Sequence, residues 1–484
     1  MGQKAVGNML PQGLRRWADV ERLATITALA GLLCLGVYLL RFIAFHPFFA
    51  DNVRHYDIWY CGARVIGLHR DPYLVEPLRA CEHAIGAYQR AWIVEPGPLP
   101  GYAFALMWPV LALPLGIGKA LWVVIALASL GVSAWCSSQL TKLPFIPVLA
   151  VFAPVVGMLN IRYGGLEPVA IAALCVAALA LERGAPRTAA IFVTLAMIEP
   201  HVGLPAFLAL AILVPGARPA LAAGAVVLGA LSVLLLGLGT NIEWLTTILP
   251  AQNAAESLFS VFQFGLTHVL YVLGVPARAA TWLGSLSYIL TIALGIVAAA
   301  RIRTAYGRAA AIVLVPVATS LFGGVYVHDH QISAALPGAL LLATLPFPPA
   351  GLAAGAVALL ASLWSPDSPL LALSVAFAVG TSILLLAPKL RPGPRLALAL
   401  LVPLAFAAYW RFDATLVHSR AAETAQPALI RPADPASVGW GYLLRWTPGD
   451  TVDDAATLLL KVPWWLGLGL AGAAAAGALR TQRT

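Results

Sequence analysis

Apolar runs of about 18 to 21 residues recur along most of this chain, the length a helix needs to cross a bilayer. Backbone in lipid must satisfy its own hydrogen bonds, which leaves helices or closed barrels. The runs are too long for barrel strands and lack their alternation. The composition agrees: 60% of the 484 residues are hydrophobic and 11% charged, against about 25% charged in a soluble domain. The expected fold class is an all-α polytopic membrane protein with about 12 to 14 transmembrane helices, each of about 20 apolar residues.

The charges between the runs give sidedness. The first run, Leu23 to Ile43, follows Lys4, Arg15, Arg16 and Arg22, and reads as an uncleaved signal anchor whose N-terminus is cytoplasmic. "LERGAPR" (181–187), "PGARP" (215–219), "RIRTAYGR" (301–308), "PKLRPGPR" (388–395) and the tail after Leu479 are basic, hence cytoplasmic. Between them lie "NIRYGGLEP" (160–168), "IEPHVG" (198–203) and "VYVHDHQ" (325–331). If each run crosses once, these three face outside together with the polar stretch that follows the first run. The runs flanking "IEPHVG" are short, so that junction is expected to dip into the membrane. Residues 101–140 read as one crossing plus an interfacial helix. The division is then a tail at 1–22, a transmembrane region at 23–411 with external loops near 45–101 and 240–284, an external loop at 412–463, and a last helix with a cytoplasmic tail at 464–484. The net charge of +9 is dispersed rather than gathered on one face, so no nucleic-acid partner is expected.

The first external loop holds Cys61 and Cys81, 20 residues apart. In an oxidising compartment they could pair; the alternative is two buried thiols. Cys34, Cys136 and Cys175 lie in apolar runs and read as packing residues. The same loop contains "DNVRHYDIWYCGARVIGLHRDPYL" (51–74). Asp57 beside a membrane helix can serve as a general base on a hydroxyl, or be a solvated aspartate or a partner of Arg54 or Arg64. Asp51 competes for the role, and Asp71 reads as a turn cap. Trp59, Tyr60 and Tyr56 offer flat faces to a sugar ring or to the membrane interface.

Glu199 and His201 flank a helix-breaking proline near membrane depth, where ionisable groups are candidates for function; a helix-end pair at the interface is the plainer alternative. Glu167, also before a proline, is a weaker candidate. His328 and His330 stand at i and i+2, which do not share a helix face. That spacing fits a loop that binds a metal, a phosphate or a sugar hydroxyl, or a plain interfacial loop. Arg162, a cation on the acidic side, could join Arg54 or the histidines around a phosphate, or snorkel to headgroups. No CxxC or HxxxH spacing points to zinc.

A base, cations and aromatics on one membrane face suit a lipid-linked anionic substrate such as a sugar on a polyprenyl phosphate. Four stretches resemble GT-C membrane glycosyltransferases, and among them glycosyltransferase family 87, the polyprenyl-phosphate-mannose-dependent mannosyltransferases and relatives. They are "YDIWYCGARVIGLHRDPYL", "PGPLPGYAFALMWPVLALP" (96–114), "NIRYGGLEPVAIAAL" and "SLFGGVYVHDHQISAALP". The family often has Lys-Pro where this chain has Glu199-Pro200, and Gln where it has Gly165. The resemblance implies a GT-C-type helical bundle with external interfacial helices. It also implies transfer of a sugar, mannose first, to a lipid or glycan acceptor, with inversion, outside the cytoplasmic membrane. Asp57 (or Asp51) would be the base. His328, His330, Arg162 and Arg54 would hold phosphate, and Glu199 and His201 would contact sugar hydroxyls. Membrane lipids are the surrounding partners. No cofactor is expected, and no motif calls for a divalent metal, although the histidine pair could take one. A transporter or flippase of a lipid-linked substrate is the alternative of a different class. It predicts inverted repeats with polar groups at the midplane; neither is visible. A polymerase or ligase of lipid-linked glycans would share the topology.

Overall fold

The computed structural model describes residues 12–45, 53–86, 97, 99–249, 257, 263–324, 326–362, 368–386 and 455–480. Among them the fold is all helical. Seven stretches are long and apolar enough to cross a membrane, and six shorter apolar helices accompany them. The helices are α1 (Gln12–Phe45), α2 (Arg54–Gly67), α3 (Val75–Ala84), α4 (Gly101–Leu111), α5 (Leu115–Thr141), α6 (Phe145–Tyr163), α7 (Glu167–Glu182), α8 (Pro186–Ala196) and α9 (Pro200–Leu213). They continue as α10 (Arg218–Glu243), α11 (Leu266–Val272), α12 (Ala277–Tyr306), α13 (Ala311–Gly323), α14 (Leu336–Ala343), α15 (Ala350–Leu360), α16 (Pro369–Leu386) and α17 (Ala455–Gly477). The protein is a polytopic all-α membrane protein.

Burial sorts the helices into layers. In α6, 78% of the apolar window is buried, and in the span containing α10 only 17%. The first is a central helix and the second a peripheral one whose Val226 and Leu234 stand exposed, as lipid-facing residues do. α12 packs along α13, α1 along α16, and α5 along α7. Small residues permit close approach: a Cβ on Gly338 of α14 would meet the Leu314 carbonyl of α13 at 2.5 Å.

Two chemically different ends emerge. At one, the basic junctions touch each other. Arg308 meets Glu182 at 2.7 Å and donates to the Leu140 carbonyl at 2.6 Å, and Arg303 donates to the Leu213 carbonyl at 3.2 Å. At the other, the acidic and histidine-bearing junctions meet. α2 and α3 fill the first loop, which the sequence expected to contain an interfacial helix. "IEPHVG" joins α8 and α9, helices of only 11 and 14 residues. α17 begins at Ala455, earlier than the expected boundary at 464. "AATLLLK" continues the helix because Lys461 finds a buried partner instead of water. Most of the 412–463 segment and "PKLRPGPR" lie outside the described residues.

Candidate active site

α2 forms one wall. Val53, ahead of it, has φ 64°, a costly conformation for a β-branched residue. There its N–H reaches the Arg162 carbonyl at 2.8 Å, locking α2 to the last turn of α6. Cys61 and Cys81 are joined in a disulfide that fastens α2 to α3. Asp57 is buried, and Lys119 of α5 lies 2.7 and 2.8 Å from its two oxygens. Tyr56 donates to the Val110 carbonyl at 3.0 Å. Trp59 meets Trp122 edge to face (6.1 Å between ring centroids) and His55 at a tilt (5.9 Å). Residues two apart on a helix diverge by about 200°. His55 and Asp57 accordingly serve different neighbours: His55 meets the His330 ring at 5.3 Å and the Tyr163 ring at 5.8 Å.

A second wall is the break between α6 and α7. A wide helical turn at Ala153–Leu159 frees carbonyls, as π-type turns near functional sites do. Asn160 Nδ2 caps one of them, the Val155 carbonyl, at 3.0 Å. Gly164 then turns the chain at φ 82°, which glycine adopts without strain, and Trp122 donates to its carbonyl at 3.1 Å. Glu167 opens α7, buried, with Oε1 3.2 Å from His330 Nε2.

The loop before α14 closes the site. His330 Nδ1 lies 3.1 Å from Asp329 Oδ1, and the Tyr163 hydroxyl donates to Asp329 Oδ2 at 3.2 Å. Burial alone would disfavour the His330 imidazolium, but the Glu167 and Asp329 carboxylates outweigh it and raise the group to about 10. Burial would likewise raise Asp329, and His330 reverses that and holds it below the usual carboxylate range. His328 Nε2 contacts the Tyr326 hydroxyl at 2.6 Å and Gln263 Nε2 at 3.1 Å. Gln331 donates to Glu199 at 3.2 Å, and His201 Nδ1 lies 3.0 Å from the same carboxylate oxygen.

The structure therefore gathers Glu199, His201, His328, His330 and Trp59 into one polar cluster. Arg162 is half-buried at its edge. Tyr60 pairs instead with Arg64, 5.7 Å over its ring, and Asp71 caps the turn at Tyr73 N–H at 2.8 Å. Asp51 and the Arg54 side chain lie outside the described residues. His55, Lys119, Asn160 and Gln331 join the site without having been singled out in the sequence, and Glu167, the weaker candidate there, faces His330. Lys119 had a signal: a lone lysine in an apolar run asks for a buried partner. His55 had none, since its neighbours are remote in sequence.

No curated protein and no solved structure matches the chain. The model of glycosyltransferase family 87 matches residues 100–327. The match takes in Lys119, Asn160, Glu167 and Glu199 and ends one residue before His328. This region carries α4 through α13 and the break between α6 and α7 that forms one wall of the polar cluster, and over it the chain is similar to glycosyltransferase family 87, a family of membrane glycosyltransferases.

Proposed function

We propose that the protein transfers a sugar, mannose first, from a polyprenyl-phosphate donor to a lipid or glycan hydroxyl, with inversion, in a GT-C-type bundle. One observation carries this reading. Four polar stretches distant in sequence (α2, Asn160–Glu167, Glu199–His201 and Tyr326–Gln331) converge at one end of a bundle whose central region matches the model of a glycosyltransferase family. The acceptor oxygen attacks the anomeric carbon, the carbon–oxygen bond to phosphate breaks, and polyprenyl phosphate departs. Asp57 takes the hydroxyl proton, and Lys119, at 2.7 and 2.8 Å from its two oxygens, holds the carboxylate in place. Arg162 and the histidine loop at 328–330 hold the departing phosphate, while Glu199 and His201 orient sugar hydroxyls. The disulfide between Cys61 and Cys81 supports an oxidising compartment for this end, and the basic junctions at the other end support a cytoplasmic one.

The test is sugar transfer in membranes from a panel of radiolabelled polyprenyl-phosphate sugars, with wild type and Asp57→Asn at equal expression. Wild-type transfer that falls about 10²- to 10⁴-fold in the variant, the range for losing a general base, supports the reading. Equal activity in both moves the base to Asp51. No transfer from any donor by folded protein favours a flippase.

A further inference from the structure

Two buried acceptor oxygens stand side by side in this cluster without a donor between them. Glu167 Oε2 and Asn160 Oδ1 are both buried and make no hydrogen bond among the described residues. A Cβ built on Gly165 would lie 2.1 Å from the first and 2.9 Å from the second, so both oxygens border the same small space. The Asn160 amide cannot turn to relieve this. Its Nδ2 is committed to the Val155 carbonyl at 3.0 Å and to Ser333 Oγ at 3.3 Å, and that hydroxyl donates to the His330 carbonyl at 2.6 Å. Leaving a buried acceptor unpaired costs about 1–3 kcal/mol, and more when it is charged. The arrangement asks for a cation.

Ligands for one are adjacent. His328, Asp329 and His330 each offer an atom, all within 4.8 Å of one another, and Glu167 Oε1 reaches His330 at 3.2 Å. The i, i+2 spacing that fails on a helix works here, because the segment is a loop: the two imidazoles stack with centroids 5.1 Å apart. Two of these residues are oriented from behind, as metal ligands are: His328 by Tyr326 and Gln263, Asp329 by Tyr163. We propose that this end of the bundle binds a divalent transition-metal cation, with His328, Asp329, His330 and Glu167 as ligands and Asn160 Oδ1 at its border. Two imidazoles with two carboxylates suit Zn²⁺, Mn²⁺ or Co²⁺ better than Mg²⁺ or Ca²⁺. A tetrahedral ion at about 2.1 Å from its ligands would draw them to about 3.4 Å from one another, a short inward turn of the side chains. Gly165 leaves Glu167 the room to make it. The competing account is a protonated Glu167 that donates to Asn160.

The tag-free full-length chain in lipid nanodiscs, stripped with chelator, is titrated with Co²⁺ and followed by visible absorption. One Co²⁺ per chain, displaced by Zn²⁺, with affinity falling at least 10-fold in Glu167→Gln and in His330→Ala, is the expected result. X-ray absorption of the Zn²⁺-loaded wild type should read two imidazole ligands, which decides the matter even where a variant fails to fold. Folded wild type without saturable Co²⁺ binding overturns the proposal and favours the protonated carboxyl. Binding that both variants retain overturns it too. Binding is read without substrate, so its failure leaves the transfer reading untouched.

Discussion

Asp57 and Lys119 show what a single residue can and cannot disclose. The sequence marked Asp57 because it sits in an unusually polar stretch, yet its partner is 62 residues away in an apolar helix. A buried ion pair is weak evidence for stability, but breaking one leaves an uncompensated charge, at about 3–5 kcal/mol. Lys119→Met should therefore lower the thermal midpoint of the protein in nanodiscs sharply. Adding Asp57→Asn should recover most of the loss, because the buried charge goes with it. A double variant as unstable as the single one would show that Lys119 acts through packing. The cluster at His330 was half legible for the same reason. Two histidines around an aspartate stand out as a motif. That Glu167, 163 positions earlier, supplies the facing carboxylate depends on how α6 breaks, and nothing in the local pattern of "GGLEP" states the direction in which α7 leaves.

At the level of elements, the breaks were more readable than the helices they separate. Each of "NIRYGGLEP", "IEPHVG" and "VYVHDHQ" carries glycine, proline or charge where an apolar helix has to stop, and all three do stop and meet. The end of the chain was less readable. "LLLKVPWW" spans the expected border between the external loop at 412–463 and the last helix. Lys461 is instead fully buried within α17, donating to the Gln263 carbonyl at 2.8 Å, and Trp465 donates to the Phe264 carbonyl at 3.0 Å. Gln263 in turn holds Val327 N–H at 3.0 Å and His328, so the last helix braces the histidine loop from behind. Lys461→Met should leave the Gln263 carbonyl unpaired and cost about 1–3 kcal/mol, read as a lower thermal midpoint. Lys461→Arg should restore part of it. An unchanged midpoint in Lys461→Met would mean that α17 is held by its apolar face alone.

For the whole molecule, the sorting of junctions by charge is the organising fact. Arg308 joins 301–308 to Glu182 of 181–187 at one end, and His330 joins 325–331 to Glu167 of 160–168 at the other. The sequence could foresee this sorting because it follows from a physical rule of insertion: cationic loops stay in the cytoplasm. It could not foresee which residues of each junction touch, since that depends on packing between remote helices. The sorting makes a topological prediction that needs no substrate. His69, in the turn after α2, and Arg183, in the turn after α7, are both exposed. In whole cells, a membrane-impermeant maleimide should label His69→Cys and leave Arg183→Cys unlabelled until the membrane is opened. The three native free cysteines are half-buried or buried, and Cys61 and Cys81 are paired, so the background should be low. Labelling of both positions from one side would break the link between charge and sidedness, and with it the external placement of the polar cluster. The predicted asymmetry would put the disulfide and the cluster in the same compartment, where an acceptor on the outer face of the membrane could reach them.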